Sequence, residues 1–443
     1  MAAGFGVWIA NAVILWLAAA PLGHDEAQYA MAARDMLEGG EARWFYLSNG
    51  MSALAIPGIV LGSGELALRF LPLVFGIGFV FAVWQLARRT VGDAAAAWAV
   101  AVLAGSRNIV KWSTDLLSDM PAATCLLAAA AVIITEVTRT EGVRWRVILA
   151  APLLAAGFYI RYGSCVPIAI IVIAALAIGW RSIKQRPAPV IVTAAVFVGL
   201  LVPHFAMAIG VTGSPLGILL ESRTVPQQAY PGEGLVTYAT SNPFMFYGIP
   251  TPLVLLAGLA AVVRKPDRRG VFLWVISVAS IVAIGLTTHA QIRYIFFGLA
   301  GLVILGTDTI LRGLASLTPP LRTILAWAAA LVVATSWVLV TVSLLRYPAQ
   351  RRDGTRATLL AATAIRAQAR KPCYIYGAHY TQLEVYSGCR SASSPPDAEV
   401  ASGAPVYVVT DHSPGWQPEA VLPGHPHAVL DVPGVVRVVR HER

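Results

Sequence analysis

Repeated apolar runs are the feature that most constrains the fold of this 443-residue chain. Several approach or reach the roughly 20 residues that an α-helix needs to cross a bilayer. Only helices or closed barrels can span lipid, because their backbone groups must be hydrogen-bonded within the structure. Barrel strands would alternate polar and apolar residues, which these runs do not. The chain is also 57% apolar and only 13% charged, so we predict a polytopic helical membrane protein.

The runs predict about 11 transmembrane helices. They cover approximately residues 5–22, 66–86, 94–104, 121–137, 147–159, 166–180, 190–209, a run ending at Arg264, and residues 271–286, 294–311 and 323–345. The first run lacks a basic segment before it and is interpreted as a retained span, not a cleavable signal. Residues 1–345 are therefore predicted to form a transmembrane domain with two long outward loops, residues 23–65 and 210–245.

Basic residues occupy every second loop, which predicts the orientation of the chain. The clusters are Arg88 and Arg89; Arg139, Arg144 and Arg146; Arg181, Lys184 and Arg186; Arg264, Lys265, Arg268 and Arg269; and Arg312 and Arg322. The positive-inside rule makes these loops cytoplasmic. The N-terminus is then cytoplasmic, and the C-terminus is extracytoplasmic, in a bacterial inner (cytoplasmic) membrane. The net charge of +10 thus indicates membrane orientation, and no nucleic-acid partner is expected.

The outward tail, residues 346–443, differs in composition and predicts a small α/β domain. A helix is expected over residues 357–369 and strands over residues 373–376, 406–409 and 435–439, with Pro- and Gly-rich turns between them. Cys373 and Cys389 are the two cysteines of this tail, and the other two lie in or at the edge of predicted spans. An exported compartment permits disulfides, so we predict that these two cysteines pair.

The first outward loop contains two adjacent carboxylates, Asp25 and Glu26, preceded by His24 and followed by Tyr29. One interpretation is purely structural: Asp25 as an N-cap with Gln28 three residues on fits a capping box. Capping needs only one acid, however, and leaves Glu26 unexplained. The loop therefore remains a candidate for either a helix start or an active site.

Other polar groups gather at the predicted outward ends of the spans. They are Lys111, Asp119, Arg161, His289, Arg293 and Tyr294. Asp119, two residues before Pro121, also suits a simple helix start, and the arginines could snorkel to lipid headgroups. Taken together, carboxylates and cations beside lipid suit one reaction. Arginine or lysine binds the developing charge of a polyprenyl phosphate leaving group, and a carboxylate accepts the proton of the attacking hydroxyl.

The order of five short motifs resembles that of a known family. They are Asp25-Glu26 heading a helix, Gly62-Ser-Gly-Glu-Leu-Ala-Leu-Arg69-Phe-Leu-Pro72, Asp119-Met-Pro, Phe158-Tyr-Ile-Arg161-Tyr, and His289-Ala-Gln-Ile-Arg293-Tyr294. In this order they resemble the GT-C glycosyltransferases, particularly bacterial members similar to protein O-mannosyltransferases and the lipid A aminoarabinose transferase. The resemblance covers about residues 1–311. Many relatives carry a Lys-Pro-Pro stretch in the first outward loop, which residues 44–52 lack.

The resemblance implies an inverting transferase that moves a sugar from a polyprenyl-phosphate donor to an extracytoplasmic glycan, lipid or protein. Asp25 would be the general base and Glu26 its orienting neighbour. Donor phosphate binding would fall to Lys111, Arg161, Arg293 and Tyr294. His24, Tyr29, Asp119 and His289 would line the cavity or contact the acceptor. No cofactor is required by these motifs, although Asp119 is a candidate ligand for a divalent cation. The alternative function is a transporter or flippase of lipid-linked saccharides, for which internal repeats would be expected.

Overall fold

The computed structural model describes residues 2–39, 47–62, 64–221, 228–241, 248–264, 267–288, 290–392, 403–411, 425–433 and 435–442. The chain forms two compact units. The first unit comprises Met1–Leu17, Phe45–Leu54 and Arg69–Leu345, and the second comprises Ala18–Trp44, Ala55–Leu68 and Arg346–Arg443.

Helices long and apolar enough to cross a membrane make up most of the first unit. Within the described residues there are 7 of them: Glu65–Thr90, Asp119–Val137, Tyr162–Gln185, Ala188–Thr212, Arg268–Gly285, Ile292–Ala315 and Pro319–Gly354. Shorter apolar helices cover Ala2–Leu17, Asn49–Val60, Asp93–Ala104, Trp145–Ile160 and Thr251–Val263. The chain is a multi-pass helical membrane protein, as the apolar runs predicted. A helix coincides with each of the predicted spans.

Three details differ from the sequence prediction. The first helix ends at Leu17, before the expected end at Leu22, because Ala19 takes a left-handed φ of 44° that a right-handed helix cannot accommodate. The last membrane helix continues past Leu345 to Gly354, because hydropathy marks only the end of the apolar run, and residues such as Gln350, Arg351 and Arg352 can continue a helix. The helix Asn49–Val60 lies in a stretch predicted only as loop.

The Phe296–Ala315 helix lies at the centre of the first unit, since every residue from Phe296 to Thr307 is buried. Its neighbour Thr251–Ala260 packs against it through glycines. A Cβ atom added to Gly306 would collide with the backbone of Val254, and one added to Gly258 would collide with the backbone of Leu302. Small residues allow such close approach of membrane helices, which is stabilised by van der Waals contact.

Some of the membrane spans contain a long helix preceded by a short one. The helix Glu65–Leu68 precedes Phe70–Thr90, and the turn Tyr162–Ser164 precedes Cys165–Gln185. Shorter helices of the first unit are Arg107–Trp112, Ala150–Ile160, Gly217–Glu221 and Glu233–Thr240. Short 3₁₀ helices cover Trp145–Leu149, Tyr162–Ser164, Ala261–Arg264 and Ile292–Ile295.

The second unit contains a five-stranded sheet with helices. The strands are β1 Tyr374–Gly377, β2 Arg390–Ala392, β3 Val406–Asp411, β4 His425–Val432 and β5 Val436–Glu442, in the order β2-β1-β3-β5-β4. Strand β1 is parallel to β2 and β3, whereas β5 is antiparallel to β3 and β4. The predicted small α/β domain is confirmed. Local pattern did not reveal β2, β4 or the Tyr380–Ser387 helix.

The core of this sheet domain is apolar and contains the two paired cysteines. The Arg356–Gln368 helix packs Ala361 and Ile365 against Ile375 and Tyr407 of the sheet. Cys373 and Cys389 lie in the same core and are joined as a disulfide with Cα atoms 4.9 Å apart. The bond links the residue before β1 to the residue before β2, so it closes the loop that contains the Tyr380–Ser387 helix.

Candidate active site

A buried carboxylate lies between two guanidinium groups in the first unit. The Asp119 side chain is 2% exposed. Its Oδ1 atom lies 2.6 Å from an Nη atom of Arg161, and its Oδ2 atom lies 3.4 Å from Nε of Arg293. The same Arg161 nitrogen donates to the Ser118 hydroxyl at 3.2 Å. Both carboxylate oxygens of Asp119 therefore face cations.

An aromatic ring completes the cluster. The guanidinium carbon of Arg161 lies 3.7 Å from the ring centroid of Tyr294, and that of Arg293 lies 5.6 Å from it. A cation this close to an aromatic face is attracted by the negative potential of the ring. Tyr294 thus restrains the two arginines that Asp119 holds. We call Asp119, Arg161, Arg293 and Tyr294 the arginine–aspartate cluster.

Three chain turns at helix ends bring these residues together. Asp119 begins the Asp119–Val137 helix, with Pro121 in its first turn, where a proline costs no hydrogen bond. Arg161 follows the Ala150–Ile160 helix in extended backbone (φ −151°, ψ 109°). Arg293 and Tyr294 lie in the 3₁₀ turn Ile292–Ile295. The charged groups therefore lie at the ends of apolar spans, where the backbone departs from regular helix.

The cluster lines a small cavity of approximately 30 Å³, together with Ser164, Ser280 and Phe297 among others. Such a volume accommodates about one or two water molecules. Among the described residues that line the cavity, two guanidinium groups face one carboxylate, which gives this lining a net positive charge. A divalent cation would be repelled by the arginines, whereas an anionic oxygen would gain charge-assisted hydrogen bonds. The arrangement suits a phosphate oxygen better than a metal ion.

The other predicted residues of the first unit have different outcomes. Lys111 belongs to the Arg107–Trp112 helix, with its ammonium 5.3 Å from the ring centroid of Trp112. It is not among the residues that line the cavity, so the structure does not bring it to the cluster. His289 lies outside the described residues. Among those described, no three His, Cys, Asp or Glu side chains converge on a common point suited to a metal ion.

Asp25 and Glu26 lie in the second unit, in the first turn of the His24–Glu38 helix. The proposed capping by Asp25 is wrong in its residues. Gly23 is the N-cap, and the Glu26 carboxylate accepts the Gly23 N–H at 2.8 Å. Asp25 is half-buried, whereas Glu26 is 2% exposed. The capping role therefore falls on Glu26 and not on Asp25.

The Glu26 carboxylate also forms an ion pair with Arg351. Arg351 lies in the last turn of the Pro319–Gly354 helix and donates a second hydrogen bond to the Tyr347 hydroxyl at 2.6 Å. Only 12% of the Arg351 side chain is exposed. The pair therefore attaches the residue next to Asp25 to the C-terminal part of the second unit.

Hydrogen bonds from the Tyr380–Ser387 helix hold the chain just before Asp25. The Tyr386 hydroxyl accepts the Leu22 N–H at 2.7 Å and donates to a Glu65 carboxylate oxygen at 3.0 Å. The Gln382 amide donates to the Leu22 carbonyl at 2.8 Å. Both backbone groups of Leu22 are thus satisfied by this helix. We call Arg351, Gln382 and Tyr386 the loop clamp.

His24 and Tyr29 flank the acidic pair on the same helix. The His24 Nδ1 atom lies 2.9 Å from the Thr381 hydroxyl, and its ring meets the edge of Tyr380. Desolvation of the ring lowers the pKa of His24, with a further lowering from His379 and an opposing effect of the Asp25 carboxylate. Tyr29 is buried on the same helix, with 8% exposure.

The loop clamp was missed by sequence reasoning. Arg351 and Tyr386 contact residues more than 300 positions earlier in the chain. Neither Arg351 nor Tyr386 is among the site residues predicted from the sequence. No spacing rule along one chain identifies a contact of this separation.

Comparisons with known proteins agree with this architecture. Residues 51–206 match the family described as dolichyl-phosphate-mannose-protein mannosyltransferase. No curated protein matches the chain. Among solved structures, ArnT from Cupriavidus metallidurans in the apo state superposes with a TM-score of 0.72 at 15% identity, covering 98% of this chain and 97% of that one.

Two further structures extend the comparison. ArnT from the same organism bound to undecaprenyl phosphate has a TM-score of 0.71 at 15% identity, covering 98% of this chain and 97% of that one. The Archaeoglobus fulgidus oligosaccharyltransferase in the apo form has a TM-score of 0.58 at 12% identity, with 92% of this chain and 69% of that chain covered. The predicted resemblance to the GT-C glycosyltransferases is therefore confirmed, and the chain has an ArnT-like fold.

Proposed function

We propose that the protein is an inverting glycosyltransferase that moves a sugar from a polyprenyl-phosphate donor to an extracytoplasmic acceptor. The observation that carries the proposal is the arginine–aspartate cluster. It offers two oriented guanidinium groups and a net positive charge beside apolar spans, which is what a lipid-linked phosphate requires. Undecaprenyl phosphate is bound in one of the similar structures, ArnT, and dolichol-phosphate in another, the archaeal oligosaccharyltransferase AglB.

In the proposed reaction the acceptor hydroxyl attacks the anomeric carbon of the sugar from the face opposite the phosphate. Asp25 accepts the hydroxyl proton as the new C–O bond forms. The bond between the anomeric carbon and the phosphate oxygen breaks, and its electron pair leaves with the phosphate. Arg161 and Arg293 stabilise that charge. One displacement inverts the anomeric configuration and returns a free polyprenyl phosphate.

Asp119, Glu26 and the loop clamp are positioning residues in this proposal. Asp119 fixes the two guanidinium groups by contacts at 2.6 and 3.4 Å, so less rotamer entropy is lost when a phosphate binds. Glu26 caps the helix that carries Asp25 and is held by Arg351. A base on a fixed helix start is well oriented for proton transfer.

The transporter alternative receives no support from the comparisons. The family match names a mannosyltransferase, and one similar structure is an oligosaccharyltransferase. A bacterial inner-membrane location, with the N-terminus in the cytoplasm and the tail outside, is part of the proposal and is supported by the alternation of basic loops.

The first test measures undecaprenyl phosphate binding to the purified full chain. Arg161→Ala and Arg293→Ala should each weaken binding about tenfold or more, because a hydrogen bond to a charged group contributes about 1.5–3 kcal/mol. The matched control is Arg181→Ala, which removes one exposed arginine near the end of the Cys165–Gln185 helix. Folded Arg161 and Arg293 variants with wild-type affinity would overturn the phosphate assignment.

The second test separates binding from chemistry. Asp25→Asn keeps the size and polarity of the side chain but cannot accept the proton. It should bind undecaprenyl phosphate with wild-type affinity and lose sugar transfer by about 100-fold or more, the range that general-base catalysis contributes. Near-wild-type turnover in a folded Asp25→Asn variant would sink the base assignment.

A further inference from the structure

A second arginine cluster, which the proposed function does not use, lies where four helix ends of the first unit meet. The Asp119–Val137 and Cys165–Gln185 helices end there, and the Trp145–Leu149 and Ala188–Thr212 helices begin there. Between them is an open groove of approximately 620 Å³ lined by Arg144, Trp145, Arg146 and Arg186, with Val143 and Pro189 as apolar lining. We call it the arginine groove. Its size lies within the range of small-molecule sites, about 300–1,000 Å³.

A buried apolar cluster supports the groove. Val143, Val147 and Ile183 form a buried apolar cluster beneath it, against which Val190 packs. The Ser182 hydroxyl donates to the backbone carbonyl of Arg139. This bond and the apolar cluster connect the loop after one span to the end of another. The positions of the arginine backbones are therefore determined by the fold.

One arginine is oriented by a glycine. Gly142 has φ +86°, and a Cβ atom placed there would lie 3.0 Å from Cγ and 3.2 Å from Cδ of Arg186. The aliphatic part of Arg186 therefore packs directly over the Gly142 backbone. Arginine side chains typically pack their aliphatic carbons on apolar surface and keep the guanidinium group accessible.

The charges in and beside the groove do not balance. Arg144 lies 3.0 Å from the Glu141 carboxylate, which Arg139 also contacts at 3.2 Å. Hydrogen bonds from these two arginines lower the pKa of Glu141, so it is ionised at neutral pH. Within the part of the chain that the structure describes, the side chains of Arg146 and Arg186 make no ion pair or hydrogen bond. Two guanidinium groups therefore remain available for an anion.

Apolar surface adjoins these charges. Trp145 is 58% exposed and Leu149 is 60% exposed. Tryptophan is enriched at the level of lipid headgroups, where its ring meets both apolar and polar surroundings. An exposed tryptophan beside unbalanced arginines at the ends of membrane helices matches a ligand that is apolar at one end and anionic at the other.

We propose that the arginine groove binds the phosphate headgroup of an anionic phospholipid, with the phosphate oxygens on Arg146 and Arg186 and the glycerol and acyl region along Trp145. The positive-inside rule predicts that this face is cytoplasmic, where anionic headgroups are available. The site is independent of the proposed transferase reaction. Guanidinium groups bind phosphate oxygens through paired hydrogen bonds. The groove should therefore bind an anionic phospholipid more tightly than a zwitterionic one.

The test uses the full chain in neutral detergent, with phosphatidylglycerol as the anionic probe and phosphatidylcholine as the zwitterionic one. Native mass spectrometry gives the apparent Kd for each. The wild-type protein should bind phosphatidylglycerol at least about tenfold more tightly than phosphatidylcholine. The double variant Arg146→Ala/Arg186→Ala should lose that preference. The control Arg181→Ala/Lys184→Ala removes two exposed basic residues outside the groove and should keep it.

Three outcomes would overturn the proposal. One is an equal loss of preference in both double variants, which would indicate general charge attraction. Another is glycerol 3-phosphate binding as tightly as phosphatidylglycerol, which would indicate a soluble phosphate ester as the ligand. The third is an unchanged preference in the groove variant. Should that variant misfold, Arg186→Gln alone must weaken phosphatidylglycerol binding several-fold for the proposal to stand.

Discussion

Removing the guanidinium of Arg351 should loosen the helix that carries Asp25. In the structure, Arg351 contacts the Glu26 carboxylate, and both side chains are largely buried, with 12% and 2% exposure. The change Arg351→Ala leaves the Gly23 N–H bond to Glu26 intact, since that bond is local to the helix start. The change therefore removes the buried ion pair together with the Arg351 hydrogen bond to the Tyr347 hydroxyl.

The magnitude follows from that burial. Breaking a buried ion pair by removing one partner costs about 3–5 kcal/mol. The hydrogen bond from the Gly23 N–H still partners the Glu26 carboxylate in the variant. We therefore expect a cost at the lower end of this range, about 3 kcal/mol. Because about 1.4 kcal/mol corresponds to a factor of ten, the opening equilibrium of the His24–Glu38 helix should rise about 100-fold. Loss of Asp25 orientation should then lower the rate of sugar transfer.

Hydrogen exchange measured by mass spectrometry on the full chain reports this opening directly, because exchange of helix amides follows local opening. The matched control is Arg352→Ala, one residue further along the same helix. Arg352 is exposed and donates to the Ala18 carbonyl at 2.7 Å. Its loss should cost about 1 kcal/mol or less. In a Glu26→Gln background, Arg351→Ala should also cost little, because the charge it balances is gone.

The result that would refute this reasoning is specific. If Arg351→Ala changes exchange in residues 24–38 by less than about threefold, or no more than Arg352→Ala does, the ion pair does not stabilise the helix start. A large effect that persists in the Glu26→Gln background would place the role of Arg351 elsewhere.

Two further predictions concern the second unit. The pKa of His24 is lowered from its ordinary value of 6.5. Just below pH 6.5 the unfolded His24–Glu38 helix therefore binds more protons than the folded one. The stability of the folded helix should then fall as the pH decreases through this range. The ratio of wild-type to His24→Asn exchange rates in residues 24–38 should therefore rise between about pH 7.5 and about pH 5.5; a constant ratio would contradict the assignment. For the disulfide, Cys373→Ser should lower the stability of the sheet domain by about 3 kcal/mol, because the closed loop spans 16 positions. Thermal unfolding checks this against Cys165→Ser, and equal Tm values for the two variants would refute it.

The membrane architecture was predictable because hydropathy acts locally. A run of apolar residues must be helical in lipid whatever its neighbours do, so the spans could be placed from the printed sequence. The predicted helix bounds are wrong where a local irregularity of the backbone or of the sequence sets the start or end of a helix. Ala19 ends the first helix by a positive φ, which no composition rule assigns to alanine. The Asn49–Val60 helix contains Pro57, and its neighbouring polar residues resemble those of a loop.

The candidate site was predictable in its residues but not in its contacts. Asp119, Arg161 and Arg293 were selected as isolated polar groups at span ends, and the structure adds that both arginines contact the same carboxylate. Lys111 had equal standing by sequence and does not line the same cavity. Which of several cations meets a carboxylate depends on helix rotation and packing, which hydropathy does not determine.

Glu26 illustrates the same limit. From sequence it was a second acid beside a candidate base. In the structure it caps its own helix and pairs with Arg351, 325 positions away. Glu26 can thus position the helix that carries Asp25 without contacting a substrate itself.

The central claim, that the protein transfers a sugar from a polyprenyl phosphate, is tested most directly by the envelope of a strain that lacks it. Lipid and glycan analysis of the deletion strain should show the loss of one sugar from one acceptor. Wild-type protein should restore that sugar, and Asp25→Asn produced at the same level in the membrane should not. Contradiction would come from an unchanged sugar composition in the deletion strain, or from full restoration by Asp25→Asn.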